Sequence, residues 1–532
     1  MNKIAAYLNE HLIGEVNGAK SVRKSYSTDG SVLSIAPEIV VYPRVTNDIR
    51  KVARFTWQLA EKGHAVPVTV RGFGRDVTGA AIGKGIVLDV ATRLGGIIQI
   101  LDKDKLVHVR AGASVKAVRE TLKWQGLMLP GAGWRDRHDA SIGGVIATDT
   151  AGIDGYLSDA IERLEVVLAN GDVIETGRIS RRDVSRKLGL QTFEGELYRK
   201  LEGLFEDNEE LINRLAADSV RDNSGYRRIA SVRGKDGSFD LTPLFVGSQG
   251  TLGVISEVVL RTGFYSDSTT HALVVADSIQ TARDLGERIA DLQPGELALY
   301  DGKLFRSAAK HGVEFPIIGS VDQVGAVLYL RFTDVSDRAQ QHKLKKLTKL
   351  LNKIGMTATD STQHPEEDFI AIADCTSMMQ LTGGDEHVAP PLLHGAFVPS
   401  ERREEFEIAL EELAGKHHVE LPVALNLLTG IYDLYPALKL DTVGDKQKLF
   451  KLLADYAIVV DRCGGALQGS GAEGRLKANA AWSVMAEDEA ELFEKIRDAF
   501  DPFGTLNPGV KQKSELRNLV GALRTHYEAA DL

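Results

Sequence analysis

The stretch that most constrains this chain is Val70-Arg71-Gly72-Phe73-Gly74-Arg75-Asp76-Val77-Thr78-Gly79, which follows an apolar run from Ala65 to Val70 that reads as a strand. Two glycines flanking one residue let main-chain N–H groups converge without a Cβ in the way. Arg71, Arg75 and the Thr78 hydroxyl add charge and donors, which is the chemistry of a pyrophosphate cradle. In isolation the stretch reads equally as a glycine-rich turn. It is not a P-loop, because Gly79 and Gly83-Lys84 are one residue too close and Gly85 stands where Ser or Thr is required. Nor is it a Rossmann fingerprint, since Val77 occupies the place of the third glycine. A phosphate loop of neither standard nucleotide fold is what remains to be tested.

The surrounding pattern is that of small α/β units. Ile39 to Pro43 reads as a short strand, Thr46-Asn47-Asp48 as the cap of a helix running to about Lys62, and Gly85 to Val90 as a further strand. The glycine loop therefore sits at the carboxyl end of a strand, where ligands collect. A second unit begins at Leu106 to Gly112, and Ser114 caps a helix from Val115 to about Gln125. Pro130 then leads into a loop holding Trp134, Arg135, Asp136, Arg137 and His138. Small residues crowd Ser141-Ile142-Gly143-Gly144-Val145-Ile146-Ala147-Thr148 and Ala151-Gly152, which implies close approach of the backbone to a ligand or to another strand. Asn170-Gly171 joins two apolar runs as a hairpin. Phe245 to Leu260, with Gly247, Gly250 and Gly253, is another tight passage. Past Thr262, strand-like and helical runs alternate as in a βαβ-type second domain, with a further round between about His394 and Ala454.

Length and composition narrow the class. At 532 residues the chain exceeds one ordinary core, so two or three domains are expected. A net charge of −10 argues against nucleic acid as the main partner. Cys375 and Cys463 are the only cysteines, which excludes a disulfide framework and any cysteine-ligated zinc or iron–sulfur centre. In a redox protein of this composition, electrons leave directly from one organic cofactor. Met1 to Val16 lacks a signal-peptide core, and no run of about 18 apolar residues occurs, so the expectation is a cytoplasmic protein without a transmembrane segment.

Taken together, these passages resemble the FAD-binding domain of the vanillyl-alcohol oxidase and p-cresol methylhydroxylase superfamily, above all its branch of FAD-linked D-lactate dehydrogenases and glycolate-oxidase subunits. Four separated motifs in order carry the resemblance. They are Arg71-Gly72-Phe73-Gly74 with Thr78-Gly79, Ser141-Ile142-Gly143-Gly144 with Ala147-Thr148, Gly247 to Gly253, and Asp501-Pro502 with Asn507-Pro508-Gly509. The resemblance implies an α+β fold. It would comprise an N-terminal extension (1–36), a two-subdomain FAD-binding domain of the p-cresol methylhydroxylase type (37–262), a βαβ-type cap (263–475), and a C-terminal segment returning to the FAD domain (476–532). By the same analogy, Arg71, Gly72, Phe73, Gly74, Arg75, Asp76, Thr78 and Gly79 hold the pyrophosphate. Pro130, Ser141, Ile142, Gly143, Gly144, Ala147, Thr148 and Gly152 line the flavin and ribityl portion. Val254 and Ile255 pass near the adenine, and Asn507 contacts the flavin.

Two departures from the family pattern matter. Relatives that attach flavin covalently carry His where this chain has Arg75, so the FAD is expected to be noncovalent. Members that oxidise D-2-hydroxy acids carry a metal-binding His-x6-His and a later Glu-His-Gly. Here Leu428 and Tyr435 fall in the histidine places and Ser470-Gly471 in the later motif, so no metal site is expected. The implied activity is FAD-dependent hydride abstraction from a small hydroxylated, D-lactate-like substrate, with electrons passed to an acceptor the sequence does not name. The alternative is an FAD-binding subunit or noncatalytic flavoprotein that has lost hydroxy-acid oxidation. Candidate bases are His138, Tyr435 and Tyr226, then His394. Arg475 is either a carboxylate ligand or a surface ion-pair partner.

Overall fold

The computed structural model describes residues 3–131, 139–218, 220–265, 269–310, 312–333, 336–376 and 388–524. Three sheets organise them. The first has four strands in the order Glu15–Asn17, Ile39–Tyr42, Ile86–Asp89, Val68–Arg71, the last three mutually parallel. Parallel neighbours need a crossover, and the helix Thr46–Glu61 supplies the one between Ile39–Tyr42 and Val68–Arg71. Asp48 does not cap that helix. The cap position is Val45, while the Asp48 carboxylate turns inward and accepts from the backbone N–H groups of Ile13, Gly14 and Arg44. The strand Glu15–Asn17 joins this sheet antiparallel to Ile39–Tyr42, so the first residues are woven into it.

The second sheet is antiparallel, ordered Val173–Glu175, Ile161–Val167, Val254–Arg261, Leu106–Arg110, Ile97–Leu101. Asn170-Gly171 turns its first hairpin, with Gly171 at φ +87° and Asn170 Oδ1 accepting from Asp172 N at 2.9 Å. Ser114 caps the helix Val115–Lys123 by accepting from Ala117 N at 2.9 Å. The glycine-rich run after Ser141 forms the helix Ile142–Thr148, whose Gly143 lies against Ala111.

The third sheet has seven strands, ordered Thr359–Asp360, Thr270–Ala276, Ala326–Phe332, Glu296–Asp301, Val423–Asn426, Ile431–Leu434, Leu393–Phe397, with every neighbouring pair antiparallel. The β-α-β runs in the sequence are real, but each is split. Thr270–Ala276 and Glu296–Asp301 flank the helix Ile279–Ala290 and are separated by Ala326–Phe332. Leu393–Phe397 and Val423–Asn426 flank the helix Arg403–His417 and are separated by Ile431–Leu434. One apolar cluster joins this cap to the second sheet, with Val109, Leu164 and Val258 on one side and Leu297, Leu328 and Tyr432 on the other. Among the described residues, no helix is long and apolar enough to cross a membrane.

Candidate functional site

A cavity of about 530 Å³ lies between the glycine loop and the cap sheet, within the size range of small-molecule and cofactor sites. Gly72, Phe73, Gly74, Arg75, Asp76 and Thr78 form one part of its wall. Close packing shapes this loop. A Cβ on Gly72 would fall on Ser141 Oγ, and one on Gly74, which sits at φ +70°, would fall on the Arg71 guanidinium. The Asp76 carboxylate accepts from Ala80 N at 2.7 Å, Thr78 N at 2.9 Å and the Thr78 hydroxyl. Burial raises its pKa, and these donors oppose the rise. Asp76 therefore shapes the loop from within. Ser141, Gly143, Gly144, Ala147 and Thr148 supply the adjoining wall, and Gly152, Val254 and Ile255 continue it.

Five residues expected at the cofactor do not line the cavity. The Arg71 guanidinium turns beneath the loop, donating to Thr28 O at 2.7 Å and lying over the Tyr26 ring. Gly79 packs against Leu33. Pro130 lies beside Gly263, at the ribbon formed by Leu127–Met128 and Gly263–Phe264. Ile142 is fully buried in the main apolar cluster. Asn507 is also fully buried: its amide nitrogen donates to Ala80 O and Gln249 O, both at 2.8 Å, and its oxygen accepts from Thr69 Oγ1 and Arg475 Nη2. All four hydrogen-bonding positions of that amide are spent inside the protein.

Arg475 is neither a surface ion-pair partner nor a carboxylate ligand. It is buried, donating to Ile82 O, Pro508 O and Asn507 Oδ1, and burial lowers its pKa to about 10. Its backbone N–H, with that of Leu476, donates to Thr78 O, so the segment after Gly474 clamps the end of the glycine loop. Gln249 completes the clamp, donating to Thr78 Oγ1 at 3.0 Å and accepting from Gly474 N at 2.9 Å.

The cap sheet closes the other end. His394, Tyr435, Asp433 and Lys477 all line the cavity. The His394 and Tyr435 rings lie 4.6 Å apart, and Lys477 Nζ donates to His394 O at 2.6 Å. Asp433 Oδ1 accepts from Gly395 N at 2.8 Å. Burial drops the imidazole pKa to about 4, with Asp433 pulling it up and Lys477 pushing it further down, and His394 Nε2 has no hydrogen-bond partner. Burial also lowers Lys477 to about 8, against the pull of Asp433 and Asp76, and holds the Tyr435 phenol well above its ordinary value. Lys477 lies three residues beyond Gly474, just past the Gly469 to Arg475 stretch, and its approach to Asp433 had no sequence signal.

The other candidate bases fare differently. Tyr226 is buried away from the cavity, with its hydroxyl 2.7 Å from Thr251 Oγ1, so it cannot reach a substrate there. His138 lies outside the described residues. At the family's metal positions, Leu428 is exposed, Ser470 Oγ accepts from Ala151 N at 2.9 Å, and Gly471 N donates to Asp149 O. Among the described residues, no three His, Cys, Asp or Glu side chains cluster as a metal centre requires.

A glycine loop at the end of a parallel strand, opening into a cavity that the cap sheet covers, is the arrangement of a flavin-dinucleotide protein with the p-cresol methylhydroxylase type of fold, and the residues present fit FAD. Comparison with known proteins agrees. The family described as "FAD binding domain" matches residues 37–177, and "FAD linked oxidases, C-terminal domain" matches residues 266–510. The two matches together span most of the chain, which thus belongs to the FAD-linked oxidases. A D-2-hydroxyglutarate dehydrogenase of Pantoea ananatis is 24% identical over 93% of this chain and 50% of its own length. The glycolate oxidase subunit GlcD of Bacillus subtilis is 22% identical over 92% of both chains. The chain thus spans about half the length of the D-2-hydroxyglutarate dehydrogenases it matches. In fold it is similar to 4-ethylphenol oxidase from Gulosibacter chungangensis, with a TM-score of 0.65 at 14% identity over 95% of this chain and 96% of that one. With Arg75 in the histidine place, the cofactor is noncovalent FAD.

Proposed function

We propose that this protein is an FAD-dependent dehydrogenase that oxidises the carbinol of a small hydroxy acid without a metal ion. The observation that carries the reading is the shared cavity, whose wall holds both the glycine loop and the unpartnered Nε2 of a neutral imidazole. The names of the relatives, all dehydrogenases or oxidase subunits for hydroxy acids, supply the substrate class. Residues 37–262 would hold the dinucleotide, residues 263–475 would cover it, and 476–532 would return to brace the loop. Gly72 to Thr78 would meet the pyrophosphate, Ser141 to Thr148 and Gly152 the flavin and ribityl portion, and Val254-Ile255 the adenine.

When bound, FAD supplies the hydride acceptor. The chain's own residues do the rest. His394 Nε2 takes the hydroxyl proton, and the Tyr435 ring packed against it fixes its direction. An imidazole near 4 is a weak base in the empty site, but the carboxylate of an entering acid raises it toward neutrality, because an anion beside an imidazole favours its protonated form. Lys477, beside the His394 carbonyl, is the cation available to that carboxylate. An acceptor outside this chain and a cytoplasmic location belong to the same reading.

The test is anaerobic. The purified yellow protein should lose its flavin absorbance on mixing with D-2-hydroxy acids, and His394→Gln should slow that bleaching by about 10²- to 10⁴-fold. A flavin that no hydroxy acid reduces would overturn the reading.

A further inference from the structure

The cap end of the cavity leaves an unusual set of polar atoms unsatisfied. Gln468 is fully buried and lines the cavity, and neither its Oε1 nor its Nε2 has a partner. Thr429 Oγ1, also on the cavity wall, is buried and unpartnered as well. The two residues are brought together by their neighbours, since Gly430 and Gly469 both pack against Phe397. His394 Nε2, on the strand that contains Phe397, is in the same state.

Buried polar groups are almost always paired, because an unpaired one weakens the folded state roughly tenfold or more. Several gathered at one end of a ligand cavity mark groups that the ligand completes. An amide offers both a donor and an acceptor, and a hydroxyl is the small group that matches both. An alkyl tail would leave them unpaired.

Charge narrows the class further. Besides Arg75 on the glycine loop, Lys477 is the one Lys or Arg lining the cavity among the described residues, while Asp433 and Glu296 line it too. One substrate carboxylate finds a cation. A second would meet carboxylates.

We propose that the substrate is a polyhydroxylated 2-hydroxy monocarboxylate, a molecule of the aldonic-acid type, whose carboxylate pairs with Lys477 and whose tail hydroxyls hydrogen-bond Gln468 and Thr429. This rests on the hydroxy-acid reading above and narrows it. Neither a short alkyl 2-hydroxy acid nor a dicarboxylate satisfies the same wall.

The experiment uses FAD-loaded protein and two readouts. Anaerobic flavin bleaching is followed with D-gluconate and D-glycerate, with D-lactate and D-2-hydroxybutyrate, and with D-2-hydroxyglutarate. Calorimetry on the oxidised protein compares binding of the corresponding oxo acids 2-ketogluconate, pyruvate and 2-oxoglutarate, which cannot reduce the flavin. The expected result is a preference of about fivefold or more for the polyhydroxylated member in both readouts, the least that two added hydrogen bonds supply. Gln468→Leu should shrink that preference toward one, with FAD content measured alongside to separate a folding defect. Preference for the alkyl or dicarboxylic acids, or 2-ketogluconate binding no tighter than pyruvate, would overturn the inference and leave hydroxy-acid oxidation standing. Flavin left oxidised by every acid in the panel would overturn both.

Discussion

The Thr69 hydroxyl donates to the Asn507 carboxamide at 3.0 Å across 438 positions of sequence. The contact ties the strand that feeds the glycine loop to a turn near the far end of the chain. Backbone bonds reinforce it, Val68 N to Thr505 O and Asn507 N to Val68 O, both at 2.8 Å. Val68–Arg71 is the edge strand of its sheet, and residues 505–507 cover that edge. The loop is thus held at its base by the C-terminal turn and at its tip by Gln249 and the backbone of Arg475.

Replacing Asn507 should therefore loosen the cradle without touching the cavity. Asn507 sits at φ +44°, so Asn507→Gly keeps the backbone relaxed and removes only the amide. It strands Ala80 O and Gln249 O, and we expect a loss of about 2–4 kcal/mol in urea unfolding. FAD content after gel filtration should fall with it. An Asn507→Gly protein with wild-type stability and flavin content would show that this brace is dispensable.

A bulkier change at Gly74 acts on the cavity wall itself. Gly74→Val introduces a β-branched side chain at φ +70° and drives it into the Arg71 guanidinium. The variant should emerge colourless and fail to take up added FAD, while far-UV circular dichroism stays close to wild type. Normal flavin content would displace the phosphates from this loop.

What was legible in the sequence was whatever is written in neighbouring residues. The Ser114 cap, the Asn170-Gly171 hairpin and the glycine loop each depend on a few consecutive side chains, and each forms where that local chemistry puts it. Local signals misplaced residues whose partners are distant. Asp48 had the look of a helix cap, yet three backbone N–H groups from the preceding segments claim its carboxylate. Arg71 and Asn507 belong to the motifs that carry the family resemblance, yet both side chains hydrogen-bond within the protein behind the wall. Nothing beside Lys477 in the chain announces its approach to His394 or Asp433. Burial and long-range pairing decide such roles, and neither has a period or a spacing.

Beneath the cavity wall, Lys511 and Glu473 form a fully buried ion pair at 2.7 Å, with Gly225 N and Trp482 Nε1 also donating to the carboxylate. Removing one partner leaves a buried charge alone, so Lys511→Met should cost about 3–5 kcal/mol. Adding Glu473→Gln should restore part of that loss, because the amide is neutral and still accepts from Gly225 N. The measurement is a double-mutant cycle in urea. Additive losses would show that the two charges do not depend on one another.

The pH dependence of turnover tests the cap end directly. Lys477, lowered to about 8 by burial, pairs with a carboxylate only while protonated. For free enzyme and a hydroxy-acid substrate, kcat/KM should therefore hold up to about pH 8 and then fall roughly tenfold per unit as the ammonium loses its proton. His394, lowered to about 4, works only while neutral, so the acid limb should appear near pH 4. The two limbs separate by substitution. Lys477→Arg keeps a cation that does not titrate in this range, so it should remove the alkaline limb while leaving the acid one in place. Substrate analogues with an amide in place of the carboxylate should lose the alkaline limb in the wild-type protein as well. An alkaline limb that survives both changes would mean that another group titrates there, and the cation for the carboxylate would have to be sought on the glycine loop, at Arg75.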